Sequence, residues 1–168
     1  MNDDLRQLIA EIRTLKERMA QLEAANLSLS AADMLAAVQT TGTWTPDLKF
    51  GGASTGSTYS SRAGSYVKTG ALCFIRCELN LTSKGSATGS ATITGLPVTA
   101  AAGTISWLPV RWYTLGAAFV EVLAYPTASS TTLNLRGATA ASVSVGTTLN
   151  NTHFDNATQL WVTGCYRV

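Results

Sequence analysis

Ala71-Leu72-Cys73-Phe74-Ile75-Arg76-Cys77-Glu78-Leu79-Asn80-Leu81-Thr82 is the stretch on which the fold turns. Cys73, Ile75, Cys77, Leu79 and Leu81 occupy every second position, with Phe74, Arg76, Glu78, Asn80 and Thr82 between them. Successive side chains of a strand point to opposite faces, so this period of two predicts one buried and one mostly polar surface. Ser83 to Gly89 (SKGSATG) then supplies Gly85 and Gly89 for a turn, and Ser90 to Thr94 returns until Gly95-Leu96-Pro97 stops it. Similar short runs follow at Gly64–Thr69, Thr104–Trp107, Arg111–Leu115, Ala118–Tyr125, Thr131–Leu135, Ser142–Val145 and Gln159–Arg167. Short strands bounded by Gly, Pro and Asn read as an antiparallel, jelly-roll-like β-sandwich. The region expected to hold it is 43–168, and no helical period of useful length interrupts it.

Upstream the period changes. Leu5, Leu8, Ile12, Leu15, Met19, Leu22, Asn26 and Leu29 alternate steps of three and four. Leu5, Ile12, Met19 and Asn26 fall at a, and Leu8, Leu15, Leu22 and Leu29 at d, of a heptad repeat. Glu11 at g faces Lys16 at the next e, and Arg18 faces Glu23, both opposite-sign pairs of the kind that join neighbouring helices. Residues 1–29 therefore read as a coiled-coil stalk about 43 Å long. Leu at every d and a buried Asn26 favour two strands, whereas Ile9 at e widens the seam toward more; the heptads leave both open. Ser30 with Asp33 reads as the cap of a short helix through Met34, Leu35 and Val38, so 30–42 is expected to be a joint.

Composition sets bounds on the chemistry. Only 13% of the 168 residues are charged, against about a quarter in ordinary soluble proteins. Six of the ten acids lie between Asp3 and Asp33, leaving Asp47, Glu78, Glu121 and Asp155 for the β region. A net charge of +2 without basic clusters gives no footprint for nucleic acid. No apolar run approaches the ~20 residues of a membrane span. The acidic, heptad-bearing start does not read as a secretory signal, so synthesis in the cytosol is expected. Cys73 and Cys77 stand about 13 Å apart along a strand, beyond the ~7 Å reach of a disulfide. All three cysteines, Cys165 included, are expected to be small buried side chains.

A distinctive order of residues runs from Gly42 to Pro97. Gly42-Thr43-Trp44-Thr45-Pro46, Phe50-Gly51-Gly52, Tyr59 and Gly64-Ser65-Tyr66-Val67-Lys68 lead into the long strand, then Ser83–Gly89 and Ile93-Thr94-Gly95-Leu96-Pro97. That order resembles the C-terminal β domain of bacteriophage and prophage tail fibres and related virion appendages, over about a third of the chain. The resemblance implies a homotrimer with the stalk before the tip, a virion location, and contacts with other tail, baseplate or capsid proteins. It implies structural roles for the matching residues: Trp44 and Pro46 would start the domain, Gly52 and Gly64 would permit turns, and Ser83–Gly89 would connect a hairpin. It carries over no active site.

The functional expectation is binding to a host-surface receptor, a glycan or a protein, without cofactor, metal or catalysis. A Ser-His-Asp mechanism needs a nucleophile held by the imidazole and an oxyanion hole, and the sole histidine, His153, reads as a turn residue within Asn150–Asn156. Glycan hydrolysis needs two carboxylates flanking one bond, and nothing marks a pair among the four acids. Trp107, Trp112 and Tyr113 surround Pro109, and Tyr125 precedes Pro126. Aromatic faces give large contact area at low entropic cost, so these four residues with Arg111, on expected connections around Pro109 and Pro126, are the candidate receptor contacts. Filling the sandwich core or an inter-subunit interface is the competing role for the aromatics. A head fibre, tail needle or baseplate appendage without receptor binding is the alternative function, and a polysaccharide depolymerase a third. Deleting residues 1–29 is expected to lower oligomer stability; a trimer unchanged in light scattering after mild heating would show that the β region assembles unaided.

Overall fold

The computed structural model describes residues 2–27, 38–103, 105–141 and 146–168. Leu29, the short helix expected from Ser30 and the strand expected at Ser142–Val145 lie outside them, as does the side chain of Asn26. The chain divides into two units, Met1–Gln39 and Thr40–Val168.

The first unit holds one helix, α1, Asp3–Leu27. Asn2 caps it, its side chain accepting the Asp4 amide at 3.4 Å, and Asp3 and Asp4 place negative charge at the positive end of the helix dipole. The heptad residues form an open stripe, from 45% exposed at Ile12 to 69% at Leu22. Contiguous exposed apolar surface of this kind is uncommon on soluble proteins.

The second unit is a ten-stranded sheet. Its strands are β1 (Gln39–Trp44), β2 (Asp47–Phe50), β3 (Ser57–Thr69), β4 (Leu72–Lys84), β5 (Ala91–Thr94), β6 (Leu108–Leu115), β7 (Glu121–Pro126), β8 (Thr132–Ala138), β9 (Thr147–Thr148) and β10 (Phe154–Arg167). Nine of them run in the order β1-β3-β4-β10-β6-β7-β8-β5-β2, with β9 beside β8, and the ladders from β3 onward are antiparallel. β6 belongs to both halves: Leu108 and Pro109 pair with β7, while Val110 to Tyr113 pair with β10.

This order demands curvature. β1 and β2 stand at opposite ends of the sheet, yet only Thr45 and Pro46 separate them. Three Cα–Cα steps reach about 11 Å at most, so the sheet must curl until its ends nearly meet. Side chains fasten the seam. On β3, the Tyr59 hydroxyl donates to Asp47 Oδ1 at 3.0 Å and accepts the Leu48 amide at 3.1 Å, while Arg62 pairs with the same Asp47 oxygen at 3.0 Å. Trp44 packs flat over β3 because Gly64 has no side chain there; a Cβ would lie 2.4 Å from the indole nitrogen. Gly64 is thus a mid-strand glycine that seats Trp44, not the turn residue expected. Gly52, at φ +87°, does sit in a turn.

Inside the curl lies one core. Cys73, Ile75, Cys77, Leu79 and Leu81 of β4 are all buried, meeting Leu48 and Phe50 of β2, Ile93 of β5, and Leu133 and Leu135 of β8. Phe50 and Phe154 cross edge to face at 5.2 Å. Two buried hydroxyls are satisfied: Tyr166 donates to the Val98 carbonyl at 2.7 Å, and Thr158 to the Thr114 carbonyl at 2.6 Å. Thr158 holds a bulge in which β10 advances five positions, from Phe154 to Gln159, while β6 advances two, from Leu115 to Tyr113.

Several expectations need correction. Ser83–Gly89 does not close a hairpin, because β4 pairs with β3 and β10 whereas β5 pairs with β2 and β8. The connection crosses from one half of the curl to the other; Gly85 (φ +72°) and Gly89 (φ +111°) let it press on the backbones of Thr55–Gly56 and Gly51. Gln39–Trp44 forms an edge strand where a joint was expected, and Ile105–Trp107 forms none. Pro109 and Pro126 lie in strands rather than connections, Pro109 at the point where β6 changes neighbours.

Burial raises the Cys77 thiol from 9.0 to about 12. It also raises Tyr59 from 10.0 to about 12, with the nearby Asp47 carboxylate adding to the effect. Both groups are favoured in the neutral form by folding. Their contribution is therefore complete below the unfolded values and lost as pH rises through the folded ones. Melting temperature is expected to hold to about pH 9 and fall between pH 9 and 12, less steeply in a Tyr59→Phe, Cys77→Ala double variant, as followed by circular dichroism.

Candidate functional site

Because β3, β4, β10 and β6 are consecutive neighbours in register, their outward residues line up in rows across the sheet. Glu78 on β4 stands opposite Trp161 on β10, and Trp161 opposite Arg111 on β6. One row over, Ser65, Arg76 and Thr163 align; on the other side come Asn80, Gln159 and Tyr113. Their inward neighbours Cys77, Val162 and Val110 are in the core, so the pleat commits this polar set to the outer surface.

The face is chemically mixed. The Arg111 guanidinium sits 5.9 Å from the centre of the Trp161 ring, within the range of a cation–π contact. Glu78 accepts the Asn80 side-chain amide at 2.6 Å. Between these rows lies an open groove of about 510 Å³ lined by Arg76, Pro109, Arg111, Trp161 and Thr163. A second hollow of about 240 Å³, reaching toward Gly64 and Ser65, adjoins it through Arg76. An indole platform flanked by guanidinium, hydroxyl and carboxylate groups can hold a ring by its flat apolar face while bonding its edge.

The five expected receptor contacts do not form one site. Arg111 and Tyr113 belong to this outer face, with Tyr113 66% exposed. Trp112, between them in the strand, points the other way and packs against the core. Trp107 and Tyr125 make a separate patch, their rings 5.0 Å apart, with Arg136 5.7 Å from the Tyr125 ring. Beside it a hollow of about 450 Å³ is lined by Ile105, Tyr125, Pro126 and Asn134 among others. Trp161, Arg76 and Glu78 were not singled out as contacts. The alternation in β4 already pointed Arg76 and Glu78 outward, but only the pairing of β10 with both β4 and β6 sets Trp161 beside them.

Other reactive groups have structural duties. His153 ends a 3-10 turn, Asn151–His153; its Nδ1 accepts the Asn150 amide at 3.1 Å, and its ring stands edge-on to Phe119 at 5.2 Å. Gly52-Ala53-Ser54-Thr55-Gly56 has the Gly-x-Ser-x-Gly spelling. It lies in the connection from β2 to β3 rather than on a strand-to-helix turn. Asp47 is held by Arg62 and Tyr59. Cys165 is exposed, a departure from expectation: it aligns with Phe74, on the face opposite to Cys73 and Cys77, and all three thiols are free. Among the described residues no three His, Cys, Asp or Glu side chains gather as metal ligands, and no helix is long and apolar enough to cross a membrane.

No protein-family model matches the chain, and no curated protein matches it. Among solved structures, it is similar to the crystal structure of Dettilon tailspike protein, with a TM-score of 0.60 and 20% identity. The similarity covers 76% of this chain and 23% of that one, so the chain spans less than a quarter of the tailspike's length. At this identity the likeness is one of fold.

The two faces of β6 and β10 should respond differently to truncation. Trp112→Ala is expected to cost roughly 2–4 kcal/mol in urea unfolding, since it removes a ring packed on the core. Trp161→Ala is expected to stay within about 1 kcal/mol, since its ring lies over the outer surface.

Proposed function

We propose that this chain is a bacteriophage tail appendage, a fibre or spike component of the virion, whose curled β unit binds a host-surface glycan. The observation that carries the reading is the outward row Glu78–Trp161–Arg111, set on a fold similar to part of a phage tailspike. The two halves of the curled sheet act as the layers of a jelly-roll-like sandwich, presenting that row on a rigid surface.

The same reading makes the protein a homotrimer. Its support is the uncovered heptad stripe of α1 together with the opposite-sign pairs Glu11 with Lys16 and Arg18 with Glu23, which a coiled coil would bring together between helices. Three identical weak sites on one tip raise overall avidity without tight single sites, because the second and third contacts are intramolecular. Tail, baseplate or capsid proteins would anchor the stalk, and no cofactor or nucleic acid takes part.

Binding rather than catalysis is proposed because two of the four acids of the β region, Asp47 and Glu78, hold side-chain partners within the fold. The purified protein is expected to adsorb to host cells and compete with virion attachment, without releasing soluble saccharide. Absence of competition would overturn receptor binding in favour of a purely structural appendage.

A further inference from the structure

We infer that the groove over Trp161 takes a saccharide bearing an anionic group, with Arg76 and Arg111 as its charge partners; this rests on the glycan-binding reading above. Arg111 flanks Trp161 on one side of β10, and Arg76 flanks Thr163 on the other. The two arginines are thus two strand spacings apart and offset by two residues, a Cα separation of about 12 Å. Guanidinium groups on long side chains can converge over the ring from opposite ends at that distance. Both line the same open volume of about 510 Å³.

Neither arginine makes an ion pair among the described residues, and Glu78 stands two residues from Arg76 on the same face of β4. Among the described residues, the ion pair present joins Arg62 to Asp47 on another part of the sheet. Glu78 is the one carboxylate in these rows, and the register puts Trp161 between it and Arg111. Its oxygen is engaged by the Asn80 amide at 2.6 Å. Arg167, opposite Leu72 at the end of β10, adds a third exposed guanidinium on the same face. Within the rows themselves, two arginines stand against one carboxylate, a local excess of positive charge in a chain that carries only +2.

A neutral sugar would need the indole and a few hydrogen-bonding groups, but not two unpaired guanidiniums. A carboxylate or phosphate substituent would take up their forked donors in charge-assisted bonds. The Trp161 face, Thr163 and the Glu78 carboxylate would then hold the ring and its hydroxyls. Uronate and phosphate substituents share this chemistry.

The test is binding of the full-length protein to an immobilised array of uronate-bearing, phosphate-bearing and neutral saccharides, with polygalacturonate and its methyl ester as a matched pair. Binding is expected on the anionic saccharides, weakening with added salt. Arg76→Gln and Arg111→Gln should each reduce it by about tenfold or more, while the melting temperature and the oligomeric mass by light scattering stay unchanged. Preference for uronate or for phosphate identifies the substituent. Binding confined to neutral saccharides and indifferent to both variants would overturn the anionic ligand while leaving glycan recognition intact. Binding to no saccharide would overturn both. A fall in oligomeric mass in the glutamine variants would assign the face to a subunit contact and also sink the proposal.

Discussion

Two residues, Thr45 and Pro46, join the strands that stand at opposite ends of the sheet. A flat or gently twisted sheet of nine consecutive strands would separate its edges by several strand spacings of about 4.8 Å each, far beyond what so short a link can span. The sheet therefore curls, its concave side becomes the core, and its convex side becomes the surface on which anything can bind. The Tyr59–Asp47–Arg62 cluster and the seating of Trp44 on Gly64 fasten the edges that this link draws together.

Once the sheet is curled, alternation divides each strand between two tasks. On β6, Val110 and Trp112 serve the core while Arg111 and Tyr113 serve the surface. The same pleat separates Cys77 from Arg76 and Glu78 on β4, and Val162 from Trp161 and Thr163 on β10. Three strands distant in sequence thus contribute to one outward face, rigid because every inward neighbour is packed. A charge-poor chain can concentrate its few ionic groups in this way, so the low overall charge does not describe the local surface.

Helix α1 obeys different physics. Its stripe is defined along a single helix, so the repeat that marks it can be read without knowing what lies across it. Its apolar residues stay exposed along the helix.

Local periodicity was therefore enough to identify α1, the two-faced character of β4, and most of the remaining strands, because the 3.5- and 2-residue repeats arise from neighbours along the chain. It was also enough to aim Arg76 and Glu78 outward. Partnership between strands was not legible. Ser83–Gly89 looks like a hairpin turn locally, yet β5 pairs with β2 and β8, since that choice is set by which buried faces close the core. Trp112 and Tyr113 look equally suited to binding, and Trp161 could not be grouped with Arg111, until the register assigned each a face and a neighbour. Sequence determined the alternation; tertiary structure alone decided which alternating faces meet, because that depends on contacts between residues dozens of positions apart.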